Sequence, residues 1–142
     1  MGIGKIALIG FGGFMLMGLV AMPFIPEMSP EEDMASAQRY FASQCSDVTR
    51  NQQINGRFGR GHVYCDCIQK AFAPYAETGD EVRLAADLQT AAGTERWFFR
   101  DTRAKSSVRR VAKRYSRRLD SDRIDDVSYV FFDRAATCAR KL

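Results

Sequence analysis

From Ile6 to Ile25 the chain runs for 20 residues without a charge. That matches the ~20 apolar residues a helix needs to cross about 30 Å of hydrocarbon. The run predicts a transmembrane helix, with residues 1–26 as an N-terminal membrane anchor. A cleavable secretory signal would need a shorter apolar stretch with a small-x-small site close behind it. The first such site, Ala35-Ser36-Ala37, lies beyond four acidic residues, so the expectation is an uncleaved signal anchor. Ala7, Gly10, Gly13, Gly18 and Ala21 recur at short spacing within the run. They would leave a groove where a second membrane helix could approach.

The flanking charges predict orientation. Lys5 precedes the run, whereas Glu27, Glu31, Glu32 and Asp33 follow it, with no Lys or Arg before Arg39. By the positive-inside rule the N-terminus stays in the cytoplasm and residues 27–142 are exported. The expected location is the inner membrane, with the C-terminal domain in the periplasm. The mitochondrial inner membrane facing the intermembrane space is the alternative.

The exported part reads as all-α, with about five helices. Its apolar content suits folding, since 46% of the whole chain is hydrophobic and 27% charged. Pro23 and Pro26 end the anchor. Ser29-Pro30-Glu31-Glu32 is a capping box that starts a helix with Met34, Ala37, Phe41 and Cys45 on one face. Ser46 to Gly61 is polar and Gly-rich and reads as a loop, matching neither the dinucleotide fingerprint nor the P-loop. A second helix follows from His62 to Pro74, with Cys65, Ile68 and Phe72 on one face. Thr78-Gly79-Asp80-Glu81 looks like another capping box, before Val82, Ala85 and Leu88 and a stop at Gly93. Trp97-Phe98-Phe99 is an aromatic patch expected in the core. Two further stripes at helical spacing are Ala104, Val108, Val111, Tyr115, Leu119 and Ile124, Val127, Phe131, Ala135, Cys138.

Four cysteines, Cys45, Cys65, Cys67 and Cys138, all lie beyond the apolar run, on the expected oxidising side. Residues two apart on a helix point about 200° apart, so Cys65 and Cys67 reach different neighbours. Two pairings remain: 45 with 65 and 67 with 138, or 45 with 67 and 65 with 138. Cys65 and Cys67 could instead hold a soft metal as thiolates. The spacing is not Cys-x-x-Cys, however, and His62 is the only histidine, so no metal site and no cofactor are expected.

Charge is concentrated between Glu95 and Arg118, with ten Lys or Arg against two acids. Arg109, Lys113 and Arg117 lie four apart, as do Arg110, Arg114 and Arg118, so like charges stack and repel along a helix. Together with Arg103 they predict an anionic counterpart. It could be internal, from the acidic first helix and Asp120, Asp122, Asp125 and Asp126. It could be an acidic exported surface of a membrane protein complex, or anionic phospholipid headgroups. Nucleic acid is not expected, because the block lacks exposed aromatic interleaving. No nucleophile arrangement occurs, and Glu31-Glu32 and Asp125-Asp126 are paired in sequence only. The expected function is that of a non-catalytic accessory subunit of an inner-membrane complex, docking through the basic helix. A thiolate metal carrier and an envelope-acting enzyme are the alternatives.

Overall fold

Ser29 starts the first helix, α1 (Pro30–Thr49), by accepting a hydrogen bond from the Glu32 backbone N–H, while the Glu32 carboxylate accepts from the Ser29 N–H. Pro30 takes the first helical position, where no donor is needed. The computed structural model describes residues 26–93 and 102–142, and for 102–104 the backbone only. Four more helices follow: α2 (Gly61–Phe72), α3 (Gly79–Ala92), α4 (Thr102–Tyr115) and α5 (Ser121–Arg140). The described part is all-α. An isolated bridge between Ile54 and Arg57 is its one extended pairing. No helix among the described residues is long and apolar enough to cross a membrane. The 1–26 anchor, with Ala7, Gly10, Gly13, Gly18 and Ala21, lies outside the described residues apart from Pro26, as does Trp97-Phe98-Phe99.

The apolar stripes point inward. Ala37, Phe41 and Cys45 of α1 are buried, and all five stripe residues of α5 are buried. Phe131 has no exposed surface, and it meets Phe41, Phe72 and Phe132 edge-on at centroid distances of 6.2, 5.9 and 5.3 Å. Edge-to-face contacts of this kind add about 0.5 to 1.5 kcal/mol each beyond area burial. α3 packs on α1, α4 and α5, while α2 packs on α1 and α5.

Three boundaries differ from the sequence reading. α1 continues past Ser46 to Thr49, whose hydroxyl donates to the Cys45 carbonyl at 2.8 Å. The segment after it is not wholly a surface loop, because Ile54 is fully buried. Asn55 and Gly56, at φ 52° and 77°, make a two-residue turn that returns the chain, with reciprocal Ile54–Arg57 bonds of 2.9 and 3.1 Å. The fourth helix stops at Tyr115, before Leu119, and Asp120 begins the next one. Gly61 is needed where α2 starts against α1, since a β-carbon there would collide with the Thr49 side chain.

Two disulfides clamp α2: Cys45 to Cys65 and Cys67 to Cys138, the first of the two pairings allowed by sequence. They close spans of 20 and 71 residues. On chain entropy alone these closures stabilise by about 3 and about 4 kcal/mol. Replacing Cys67 and Cys138 together by Ser should therefore cost more than replacing Cys45 and Cys65. Urea denaturation of the two double variants checks the order, and equal midpoints would contradict it.

Candidate functional site

Hydrogen-bond geometry gives the helix directions. Asp33, Tyr40 and Gln44 of α1 meet Arg83, Asp87 and Thr90 of α3 in the same order, so these two helices run parallel. Tyr115 meets Asp87 and Arg118 meets Asp80, so α4 runs antiparallel to them. The end of α4 at Tyr115 thus lies level with Tyr40 in the middle of α1, and the turn after it, carrying Arg118, lies toward the beginning of α1.

The basic set is only partly matched within the chain. Arg118 pairs with Asp80 at 3.4 Å and Arg114 with Asp87 at 3.9 Å. Both acids belong to α3. For the described basic side chains of this set, neither α1 nor Asp120, Asp122, Asp125 or Asp126 supplies a partner within 4 Å, so the internal pairing differs from the one considered from sequence. The α1 acid Asp33 is instead taken by Arg83 at 2.6 Å, which holds its carboxyl below the ordinary range. Arg109, Arg110, Lys113 and Arg117 are exposed, and no described carboxylate lies within 4 Å of them. The Arg103 side chain lies outside the described residues. Arg109 and Lys113 therefore lie one turn apart on α4, about 6 Å at 1.5 Å per residue, and Arg117 continues this ladder in the turn after the helix ends at Tyr115.

Beside the ladder, Asp87 accepts hydrogen bonds from the Tyr40 hydroxyl at 2.7 Å and from the Tyr115 hydroxyl at 2.8 Å. The Asp87 bond raises the Tyr40 phenol above its usual value, and burial with the same bond raises Tyr115 further. Both phenols are therefore held as donors.

A second polar cluster joins α3 to α5. The Glu81 side chain is 3% exposed and receives Arg123 bidentately, Nε at 2.7 Å and Nη2 at 3.0 Å. Arg123 also lies 4.8 Å from the centre of the Tyr75 ring. Thr78 caps Glu81 as expected, but the Glu81 carboxylate accepts from the Glu77 N–H and turns to Arg123, so the second capping box is only half formed. Sequence spacing could not reveal this, because Arg123 lies 42 residues away. Burial alone would raise the Glu81 carboxyl, yet the Arg123 and backbone bonds outweigh it and hold it below the ordinary 4.5.

Cys65 and Cys67 are both consumed in disulfides, so thiolate coordination would require reducing them. No group of three or more metal-ligating side chains occurs among the described residues. His62 is exposed in the first turn of α2. The chain matches no family, no curated protein and no solved structure, so its own geometry carries the functional reading.

Because the folded Glu81 pKa is depressed, its contribution to stability is complete above pH 4.5 and is lost as the pH falls through the lower folded value. Glu81→Gln should cost about 3 kcal/mol at neutral pH, the lower end for a buried pair because Arg123 keeps some solvent contact. It should also flatten the acid limb of the stability profile. Chemical denaturation between neutrality and pH 3 measures both, and an unchanged acid limb would remove Glu81 from the account.

Proposed function

We propose that this protein is a single-pass, membrane-anchored accessory subunit whose exported helical body docks through α4 against an acidic surface of a larger inner-membrane complex. The observation that carries the reading is the ladder of Arg109 and Lys113 on α4, continued by Arg117 in the turn after it, with no described carboxylate within 4 Å of them. The like-charged pair of Arg109 and Lys113 destabilises α4 by about 0.2 to 0.5 kcal/mol. An external anion offsets that cost.

Export fits the two disulfides, which persist in oxidising compartments. The direction of α4 favours a protein over a flat bilayer. α4 runs from the far end of the body back toward the start of α1, which follows the predicted anchor. A neighbour standing alongside meets the whole ladder, whereas headgroups beneath the body meet only the end carrying Arg117 and Arg118. The anchor confines both partners to one membrane, so modest contact suffices through effective concentration.

The test is the triple variant Arg109→Gln, Lys113→Gln, Arg117→Gln in the full chain, expressed in its native membrane. The wild type should cross-link through Lys113 to a defined membrane protein and release it at high salt. The variant should lose that partner while unfolding at the same or slightly higher denaturant concentration. Retention of the partner by the variant would overturn the docking role, as would binding of the wild type to phosphatidylglycerol vesicles with no protein partner. Protease digestion of spheroplasts should remove the helical body; its protection would overturn export.

A further inference from the structure

α1 and α4 both flank α3, and between them lies an open groove of about 370 Å³. That volume is at the lower end for small-molecule sites. Among the described residues Asp87 is the only carboxylate in its wall, and it is 16% exposed with one phenol donor on each oxygen. It is thus already supplied. Two guanidiniums face the same groove. Arg114 stands 3.9 Å from Asp87, beyond hydrogen-bond distance, and Arg110, one turn earlier, has no described acid near it. The single Thr90 hydroxyl proton lies between the Ala86 carbonyl at 3.1 Å and the Gln44 side-chain oxygen at 3.3 Å, so the Gln44 amide stands on the α1 wall of the groove beside Thr90. The groove therefore presents two cationic forks on α4 across from the Gln44 amide on α1.

A second cleft, of about 450 Å³, makes the contrast clear. It holds Arg117, Arg118 and Arg123, but Glu77, Glu81 and Asp120 line it too, so its charges balance. Of these two clefts, the groove over α3 keeps the excess of cation.

We infer that this groove binds a small oxyanion, a carboxylate or phosphate group, between Arg110 and Arg114 on one side and the Gln44 amide on the other. Arg is suited to this because its planar fork donates two parallel hydrogen bonds to either group. The site shares Arg110 and Arg114 with the basic face of α4, but it does not depend on docking, because Arg117 lies outside the groove.

The experiment titrates inorganic phosphate and, separately, succinate into the full chain in zwitterionic micelles at constant ionic strength. The nuclear magnetic resonance signals of the Gln44 side-chain amide and the Arg110 Nε–H are followed. Saturable shifts confined to the groove are expected with at least one anion. Arg110→Gln should weaken binding about tenfold or more, as for loss of a charge-assisted hydrogen bond. Arg117→Gln should change it less than about twofold, since a screened exposed charge contributes little. Competition of short-chain phosphatidylglycerol with phosphate would assign the oxyanion to a lipid headgroup, and its absence to a free solute. Non-saturating drift, or equal weakening by the two variants, would overturn the site and leave only diffuse charge. Loss of the protein partner on Arg117→Gln with oxyanion binding intact would separate docking from this site.

Discussion

Everything else in the body is arranged around α2 and the two sulfur bridges that hold it. This helix has 12 residues and no side-chain cap at its start, where Arg60 occupies the capping position. An isolated helix of that length is marginal in water. Cys65 ties it to α1 and Cys67 ties it to α5, so one short element is fixed from two directions. Ile68 and Phe72 then fill the space between, and Phe72 meets Phe131 at the centre of the core. For a body this small, covalent closure supplies a substantial part of a net stability that is typically about 5 to 15 kcal/mol.

The second organising element is α3, which is unusual in carrying polar groups inward. Glu81 bonds to Arg123 of α5, Asp87 to Tyr40 of α1 and Tyr115 of α4, and Gln89 to Tyr64 of α2. One helix thus makes a directional bond with each of the other four. Gln89, 1% exposed, also donates to the Gly93 carbonyl at 2.6 Å, closing the end of its own helix. No buried side-chain nitrogen or oxygen among the described residues lacks a partner. Directional bonds of this kind fix rotation and register in a way that apolar contact alone does not. Burial holds the Tyr64 phenol at about 12, so it remains a donor throughout the neutral range.

What could be read from the residues was whatever repeats within a few positions. The Ser29 capping box, the Phe41 and Phe131 stripes and the Gly93 stop are local patterns, and the helices follow them. Cysteine spacing narrowed the bridges to two arrangements, but the choice depends on which neighbour lies on which side of α2, a matter of tertiary packing. Local spacing places Glu81 in a cap, because its competitor, Arg123, is distant in sequence. Ile54 was hidden in a polar stretch, though Asn55-Gly56 beside it was a signal for a chain reversal that could carry an apolar residue inward. The α3 groove was invisible for the same reason: Gln44, Thr90 and Arg110 meet only after three helices have packed.

The connectivity of the bridges also bears on how the chain is made. Cys45–Cys65 and Cys67–Cys138 follow one another without interlacing, whereas the rival arrangement would interlace. During synthesis from the N-terminus, the first ring can therefore be sealed while most of the second is still unmade. Cys67 then waits for the last turn of the final helix. Sealing Cys45 to Cys65 also withdraws Cys45 from competition, so once that ring has closed the interlaced isomer is no longer open to the chain.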